Sequence, residues 1–204
     1  MLGAQFPQAL AAARSGAEWA WTLIYRELAP AVLGYLRGSG ADEPDDLTGE
    51  VFLQVVRDVP AFRGDEGAFR AWVFVIARHR MIDAGRRRER RPVAPMAEAQ
   101  VEAVRQGDAE EEALACLEAE EVRGILESLS PSQRDVLLLR VLGDLTVDEV
   151  ASAIHKRRGA VKALQRRGLD AVFNALQERA AAEGELRQSR DPGQSRDPLD
   201  TRDA

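Results

Sequence analysis

Apolar residues recur every three or four positions through most of this chain, and no run alternates with the two-residue period of a half-buried strand. The pattern predicts helices. The first runs from Ser15 to Gly38, with Ser15 and Glu18 forming a capping box and Trp19, Leu23, Leu28, Val32, Leu33 and Leu36 supplying core; Pro30 should kink or divide it. A second helix starts near Pro44, with acids in its first turn, and ends before Pro60; Leu47, Val51, Val55 and Phe52 form its stripe, and Gly49 weakens it by about 1 kcal/mol. A third takes Asp65 as N-cap and passes through Phe69, Trp72, Val73, Ile76 and Ile82.

The clearest pattern lies between Ser130 and Gly168. Ser130 with Gln133, and Thr146 with Glu149, make two successive capping boxes, and Gly143 between them is the expected left-handed residue ending the first helix. A short helix from Val147 to about Ile154 is followed, after a break of about three residues, by a longer one with Val161, Leu164, Gly168, Leu169 and Val172 inward. Short helix, tight turn and longer basic helix make a helix-turn-helix, whose second helix enters the DNA major groove.

Charge sharpens this picture. The 204 residues carry a net charge of −6, yet Ile154–Asp170 holds six Lys or Arg against one Asp, and Arg78–Arg91 holds seven Arg against two acids. Local basic faces on an acidic chain point to nucleic acid more specifically than overall basicity would. On the last helix Arg158, Lys162 and Arg166 recur every four residues with Gln165 beside them, opposite the apolar stripe. Rings upstream of the other basic run suit single strands, because bases stack on rings while arginines track phosphates. Most of those rings belong to the core; Trp72 and a ring near Phe62 are the better candidates for an exposed role.

Composition narrows the rest. Aromatics make up 5% and hydrophobic residues 45%, which suits helical packing better than a sandwich. No stretch approaches the ~18 apolar residues of a membrane span, and no signal peptide is legible at the N-terminus, so a cytoplasmic protein is expected. Cys116, His79 and His155 lie apart without ligand spacing, so no metal or other cofactor is expected. The pairs Asp45/Asp46 and Glu110/Glu111 lack anything that would separate their acidities, so no catalytic residue is assigned and an enzyme is not expected. Residues 92–120 read as an acidic linker with a helix from about Ala109, seven acids and no base lying in Asp108–Glu121. Pairing of that linker with the basic helices would close the molecule. The tail from Glu183 repeats QSRDP and should be disordered.

With these residues in hand, the chain resembles the extracytoplasmic-function (ECF) sigma factors of bacterial RNA polymerase. The resemblance rests on DDLTGEVFLQV from Asp45, FRAWVFVIARHRMIDAGRRR from Phe69 and LSPSQRDVLLLRVLGDLTVDEVASAIHKRRGAVK from Leu129. It implies an all-α chain of two small helical domains on a flexible linker, the C-terminal one a helix-turn-helix: an N-terminal segment 1–14, a region 2-like domain 15–91, the linker 92–120, a region 4-like domain 121–182 and the tail 183–204. It further implies that Asp45, Asp46, Leu47, Glu50, Val51, Phe52 and Gln54 dock on the beta-prime clamp helices of core polymerase, whose beta flap is a second contact. Phe62, Arg63, Trp72, Arg78, His79, Arg80, Asp83, Arg86 and Arg87 would hold the melted minus-ten strand. Thr146, Lys156, Arg157, Arg158, Gly159, Lys162, Gln165 and Arg166 would read the minus-thirty-five duplex. Promoter DNA and an anti-sigma factor are the other implied partners, and the lack of a long N-terminal extension and an extra central domain places the chain in the ECF class.

Three residues depart from the family pattern: His79 in place of Asn after IAR, His155 in place of the turn glycine, and Arg157 in place of the Ser/Thr N-cap. The last two predict a recognition helix that starts late or frays, with Lys156, Arg157 and Arg158 compensating through phosphate contacts. A one-component helix-turn-helix regulator would instead bind a palindrome by itself, and a helical adaptor would use the Asp45–Val59 face and bind no nucleic acid.

Overall fold

A computed structural model of the chain describes residues 2–90 and 120–190, with side-chain surroundings as far as residue 182. Every regular element among the described residues is helical. The N-terminal group is α1 (Phe6–Arg14), α2 (Glu18–Gly38), α3 (Pro44–Asp58) and α4 (Glu66–Arg90). The C-terminal group is α5 (120–128), α6 (Pro131–Val141), α7 (Val147–Ala153) and α8 (Arg158–Arg190). The acidic linker, the helix expected from Ala109, Cys116 and the tail beyond residue 190 lie outside the described residues. The expected start of the tail at Glu183 falls inside α8, whose backbone stays helical to Arg190.

The first helix of the chain was not legible as an element, though Phe6, Ala9, Leu10 and Ala13 keep helical spacing and are all buried. The Ser15–Glu18 capping box does not form: Ser15 donates its hydroxyl to Ala12 O at 2.8 Å, and Ala17 is the N-cap of α2. Nor does Pro30 divide that helix. The residue is exposed, so water can satisfy the carbonyl one turn earlier that loses its donor. Trp19 faces solvent rather than the core, where Ile24 and Tyr35 are buried instead. Asp65 does cap α4, accepting from Ala68 N–H at 2.8 Å.

Both C-terminal capping boxes form as the sequence predicts, on Ser130 and Thr146. The turn after α6 differs in detail: Asp144, not Gly143, takes the left-handed conformation at φ 52°. Gly143 is needed for space, since a Cβ there would stand 2.4 Å from Leu139 O and 2.5 Å from Leu145 Cδ1. Gly143→Ala is therefore expected to destabilise the C-terminal helices by about 1–3 kcal/mol, measurable by urea unfolding followed by circular dichroism; an unchanged midpoint would refute the steric account.

The two groups of helices pack directly on each other. Gly34 and Gly38, one turn apart on α2, leave room that side chains of the C-terminal group fill: a Cβ on Gly34 would meet Leu142 at 3.3 Å, and one on Gly38 would meet Leu138 at 3.0 Å and Leu126 at 3.2 Å. Beside this seam Asp135 of α6 accepts from Tyr35 at 2.9 Å and from Arg78 at 2.8 Å. Arg70, lying over the Phe74 ring, donates to Gly143 O at 2.7 Å and Leu142 O at 3.0 Å. The described contacts thus join α2 and α4 to α5, α6 and α7, and none of them needs the acidic linker.

Candidate nucleic-acid and polymerase-binding surfaces

On α3 the apolar members of the expected polymerase set turn inward. Val51 is fully buried and Leu47 and Phe52 nearly so, because they fasten α3 against α2 and α4; Tyr25 covers Phe52 with ring centroids 4.7 Å apart. These three shape the surface without forming it. Solvent meets Asp45, Asp46 and part of Glu50 and Gln54, along with Leu53 (73% exposed) and Val56 (45% exposed). The last two were missed. Both break the apolar stripe of a helix that already has a complete inward face, and that misplacement was the available signal.

The minus-ten candidates divide into three. Phe62 and Trp72 are half-buried partners in a ring cluster: Phe62 stands edge-on to Phe69 at 5.2 Å and over Trp72 at 5.1 Å, and Phe6 completes the group at 5.5 Å from Phe69. Their exposed role is correspondingly smaller than expected, because most of each ring supports its neighbours. Arg80 donates to Gln54 Oε1 at 2.9 Å and pairs with Glu50 at 3.5 Å, tying α4 to α3 rather than standing free. Arg87 approaches the same Glu50 at 3.8 Å from a more exposed position. Arg63, His79, Asp83 and Arg86 lie on the surface, Asp83 and Arg86 paired at 3.7 Å. Arg78 is the exception that sets up the rest: it points into the interface with α6, pairs with Asp135 and lies 3.4 Å from Ala153 O.

The minus-thirty-five candidates form one continuous face. Residues 155–160 are all exposed, as are Lys162 and Arg166, with Gln165 half-buried between them. Val161, fully buried, anchors the opposite side of the helix, whereas Leu169 faces outward, half exposed. Leu169, Phe173 and Leu176 share that outer face, an apolar stripe at helical spacing. His155 holds a left-handed turn at φ 54°, as its position required. The expected late start does not occur: α8 begins at Arg158, with Ala160 N–H and Val161 N–H already bonded to Arg157 O. Arg158 also pairs with Asp148 at 2.7 Å, which ties the first turns of α7 and α8 together. Thr146 is exposed, but its hydroxyl serves the α7 cap, donating to Glu149 at 2.7 Å and accepting from the Glu149 N–H at 3.3 Å.

A helix-turn-helix with an exposed basic face is thus packed on a second helical group whose longest helix, α4, carries a ring cluster at its start and exposed arginines at its end. Residues 24–91 match the family model of Sigma-70 region 2, and residues 119–172 match that of Sigma-70 region 4. Several relatives are 31% identical to the chain. ECF RNA polymerase sigma factor SigD of Mycobacterium tuberculosis aligns over 86% of each chain, and ECF RNA polymerase sigma factor ShbA of Streptomyces griseus over 67% of this chain and 73% of its own. The fold recurs in a chain of the solved complex of CnrH with the cytosolic domain of CnrY, at TM-score 0.61 and 21% identity, covering 85% of this chain and 97% of that one. It recurs again in a chain of the Bartonella quintana complex of the sigma factor RpoE with the anti-sigma factor NepR, at TM-score 0.57 and 17% identity, covering 76% and 96%. The chain belongs to the ECF sigma-factor family of RNA polymerase. It is a transcription initiation factor that directs the polymerase to promoters, and the one-component regulator is not favoured.

Proposed function

We propose that the N-terminal helices within 15–91 bind core polymerase and the melted minus-ten strand, and that the C-terminal helices within 121–182 read the minus-thirty-five duplex. The observation that carries this reading is the exposed basic face of α8 and of the turn before it, opposite a buried Val161. Such a face can lie in a major groove, where Arg or Lys to guanine is the commonest specific contact. Asp45, Asp46, Glu50 and Gln54 dock on the clamp helices of the beta-prime subunit, joined by Leu53 and Val56. The stripe Leu169, Phe173 and Leu176 is the matching surface for the beta flap. Arg63, His79 and Arg86 track phosphates of the melted strand, with Phe62 and Trp72 offering ring edges.

No residue in this scheme is catalytic, since strand separation needs binding energy rather than bond chemistry. The chain works in the cytoplasm beside the polymerase; among the described residues no helix is long and apolar enough to cross a membrane. An anti-sigma factor is its regulator, a reading supported by the fold shared with chains from the CnrH–CnrY and RpoE–NepR complexes.

Run-off transcription from a genomic promoter library tests the whole reading: core polymerase should initiate at a defined promoter set only when the protein is added. Docking is tested separately by Leu53→Asp. A charge on that exposed apolar position should weaken core binding at least tenfold, a loss of about 1.4 kcal/mol, while leaving thermal stability unchanged. Unaltered affinity for core would exclude Leu53 from the interface.

A further inference from the structure

Two exposed arginines converge on one carbonyl oxygen in the loop between α3 and α4. Arg14, in the last turn of α1, donates to Phe62 O at 2.5 Å. Arg63 donates to the same oxygen at 2.6 Å and to Pro60 O at 2.7 Å. A carbonyl accepts hydrogen bonds but neutralises no charge, so two cations are held side by side against their own repulsion. Among the described residues neither arginine forms an ion pair. The acids nearest in sequence to Arg63 are engaged elsewhere. Asp65 accepts from Ala68 N–H at 2.8 Å, and Glu66 accepts from the N–H groups of Leu2 and Gly3.

The local fold builds this convergence from two distant segments. Gly64 has φ 153°, and a Cβ there would stand 2.8 Å from Ala68 Cβ and 3.0 Å from Phe62 Cζ. The glycine lets the Phe62 ring fold onto the start of α4, where Phe69 and Trp72 receive it. The same cluster seats α1, through Phe6 against Phe69 and through buried Leu10 and Ala13. Arg14 therefore projects from a backbone that is fixed one residue earlier. It also lies ahead of the residues that match region 2, which begin at 24, so membership of the family gives it no role.

The pair suits a phosphodiester. A guanidinium carries five N–H donors, and the contacts to Phe62 O and Pro60 O use only a few of the ten. Forked donors of this kind match the paired oxygens of a phosphate. Phe62 turns its ring to the cluster assigned to bases and its carbonyl to the two cations. Receivers for the base and the phosphate of a melted strand thus meet at one residue.

We propose that Arg14 and Arg63 form a phosphate clamp for the melted minus-ten strand, with α1 supplying half of it. The inference deepens the minus-ten reading above and rests on it: Arg63 belongs to that reading, and Arg14 is new. Phosphate contacts fix register and orientation without carrying sequence information. Arg14 accordingly sets how firmly the strand is held, not which bases are preferred.

Holoenzyme assembled from core polymerase and the full-length protein, bound to a promoter with a pre-melted minus-ten region, reads the clamp directly. Arg14→Gln, Arg14→Lys and Arg63→Gln are compared with wild type after circular dichroism confirms each fold and core affinity has been measured. Arg14→Gln should weaken binding at least fivefold and reduce the salt slope by about 0.7, the share of one single-strand phosphate. Arg14→Lys, which keeps the charge but not the fork, should lose less affinity and retain most of the slope. Uncharged methylphosphonates placed one at a time along the strand should reveal one linkage that matters to wild type and far less to Arg14→Gln. Wild-type affinity and slope in Arg14→Gln, with Arg63→Gln still weakened, would overturn the clamp and leave the minus-ten reading standing. So would a loss of affinity with unaltered slope and no coupled linkage, the mark of a residue that only braces the loop. If neither Arg63→Gln nor any neutral linkage changed binding, the minus-ten reading would fall and take the clamp with it.

Discussion

Phe69→Ala is expected to lower the unfolding free energy of the N-terminal helices by about 3–5 kcal/mol, the largest effect of any single truncation considered. The ring is 1% exposed and is shared by Phe6, Phe62 and Trp72, so deletion strips contacts from three neighbours at once. The cavity opens between α1, the loop after α3 and α4, and those segments cannot all collapse inward together. Because total stability of a domain is of the order of 5–15 kcal/mol, a loss of this size would leave the group partly unfolded at 37 °C. Urea unfolding followed by tryptophan fluorescence reads it directly, since Trp72 lies against the missing ring at 5.6 Å. A shift below about 1 kcal/mol would mean that the ring cluster is peripheral and not the keystone of α4. The consequence for function follows from position. Phe62 and Trp72 keep their orientation only while Phe69 supports them, so capture of a melted strand should fail even where the fold survives.

The second large effect is on DNA. Lys162→Ala combined with Arg166→Ala removes two cations one turn apart from the exposed face of α8 and touches no buried residue. Each specific base contact of this kind contributes about 1–3 kcal/mol of discrimination, so the double variant should lose roughly 30-fold or more in affinity for a duplex carrying the upstream element. Stability should remain within about 0.5 kcal/mol of wild type, as for most surface changes. Binding measured across salt concentrations separates the roles. A residue on a phosphate reduces the salt slope by about one, whereas a base contact lowers specificity for the preferred sequence instead. Unchanged affinity for every duplex tested would remove α8 from the upstream reader.

Arg158 presents a different case. Its pairing with Asp148 at 2.7 Å is between groups 66% and 61% exposed, so the bond contributes little to stability and is readily exchanged for a phosphate. The N-terminus of α8 is instead fixed by its own backbone, with Ala160 N–H and Val161 N–H on Arg157 O, without the Ser or Thr cap that the position ordinarily carries. That is why the departure at Arg157 did not delay the helix. The cap could be lost because the short turn through His155 and the backbone bonds to Arg157 O already determine where the helix begins.

What could be read without coordinates was everything that local spacing controls. Two capping boxes, an apolar stripe of period 3.6 and a basic row every four residues specified α6, α7 and the presence of α8, though not where α8 starts. The same signals gave α3 and α4 close to their observed bounds. These features are local: a cap needs only residues three positions apart, and a stripe needs only its own helix. The errors arose where a residue's fate depends on something distant in sequence. Trp19 and Leu169 share the composition of core residues but face water, because among the described residues no other helix covers them. Arg80 looked like its neighbours in an arginine run, yet Gln54 and Glu50 of α3 claim it.

Arg78 and Asp135, 57 positions apart, show the limit most plainly. The sequence alone determined that each lies on an amphipathic helix and that one belongs to a basic surface. Only the tertiary structure decided that α4 meets α6 there, because the meeting depends on how Gly34 and Gly38 admit Leu142 and Leu138. Periodicity fixes which side of a helix is apolar; which helix it then meets is a property of packed shapes, and shape complementarity between remote segments leaves no periodic trace in the chain.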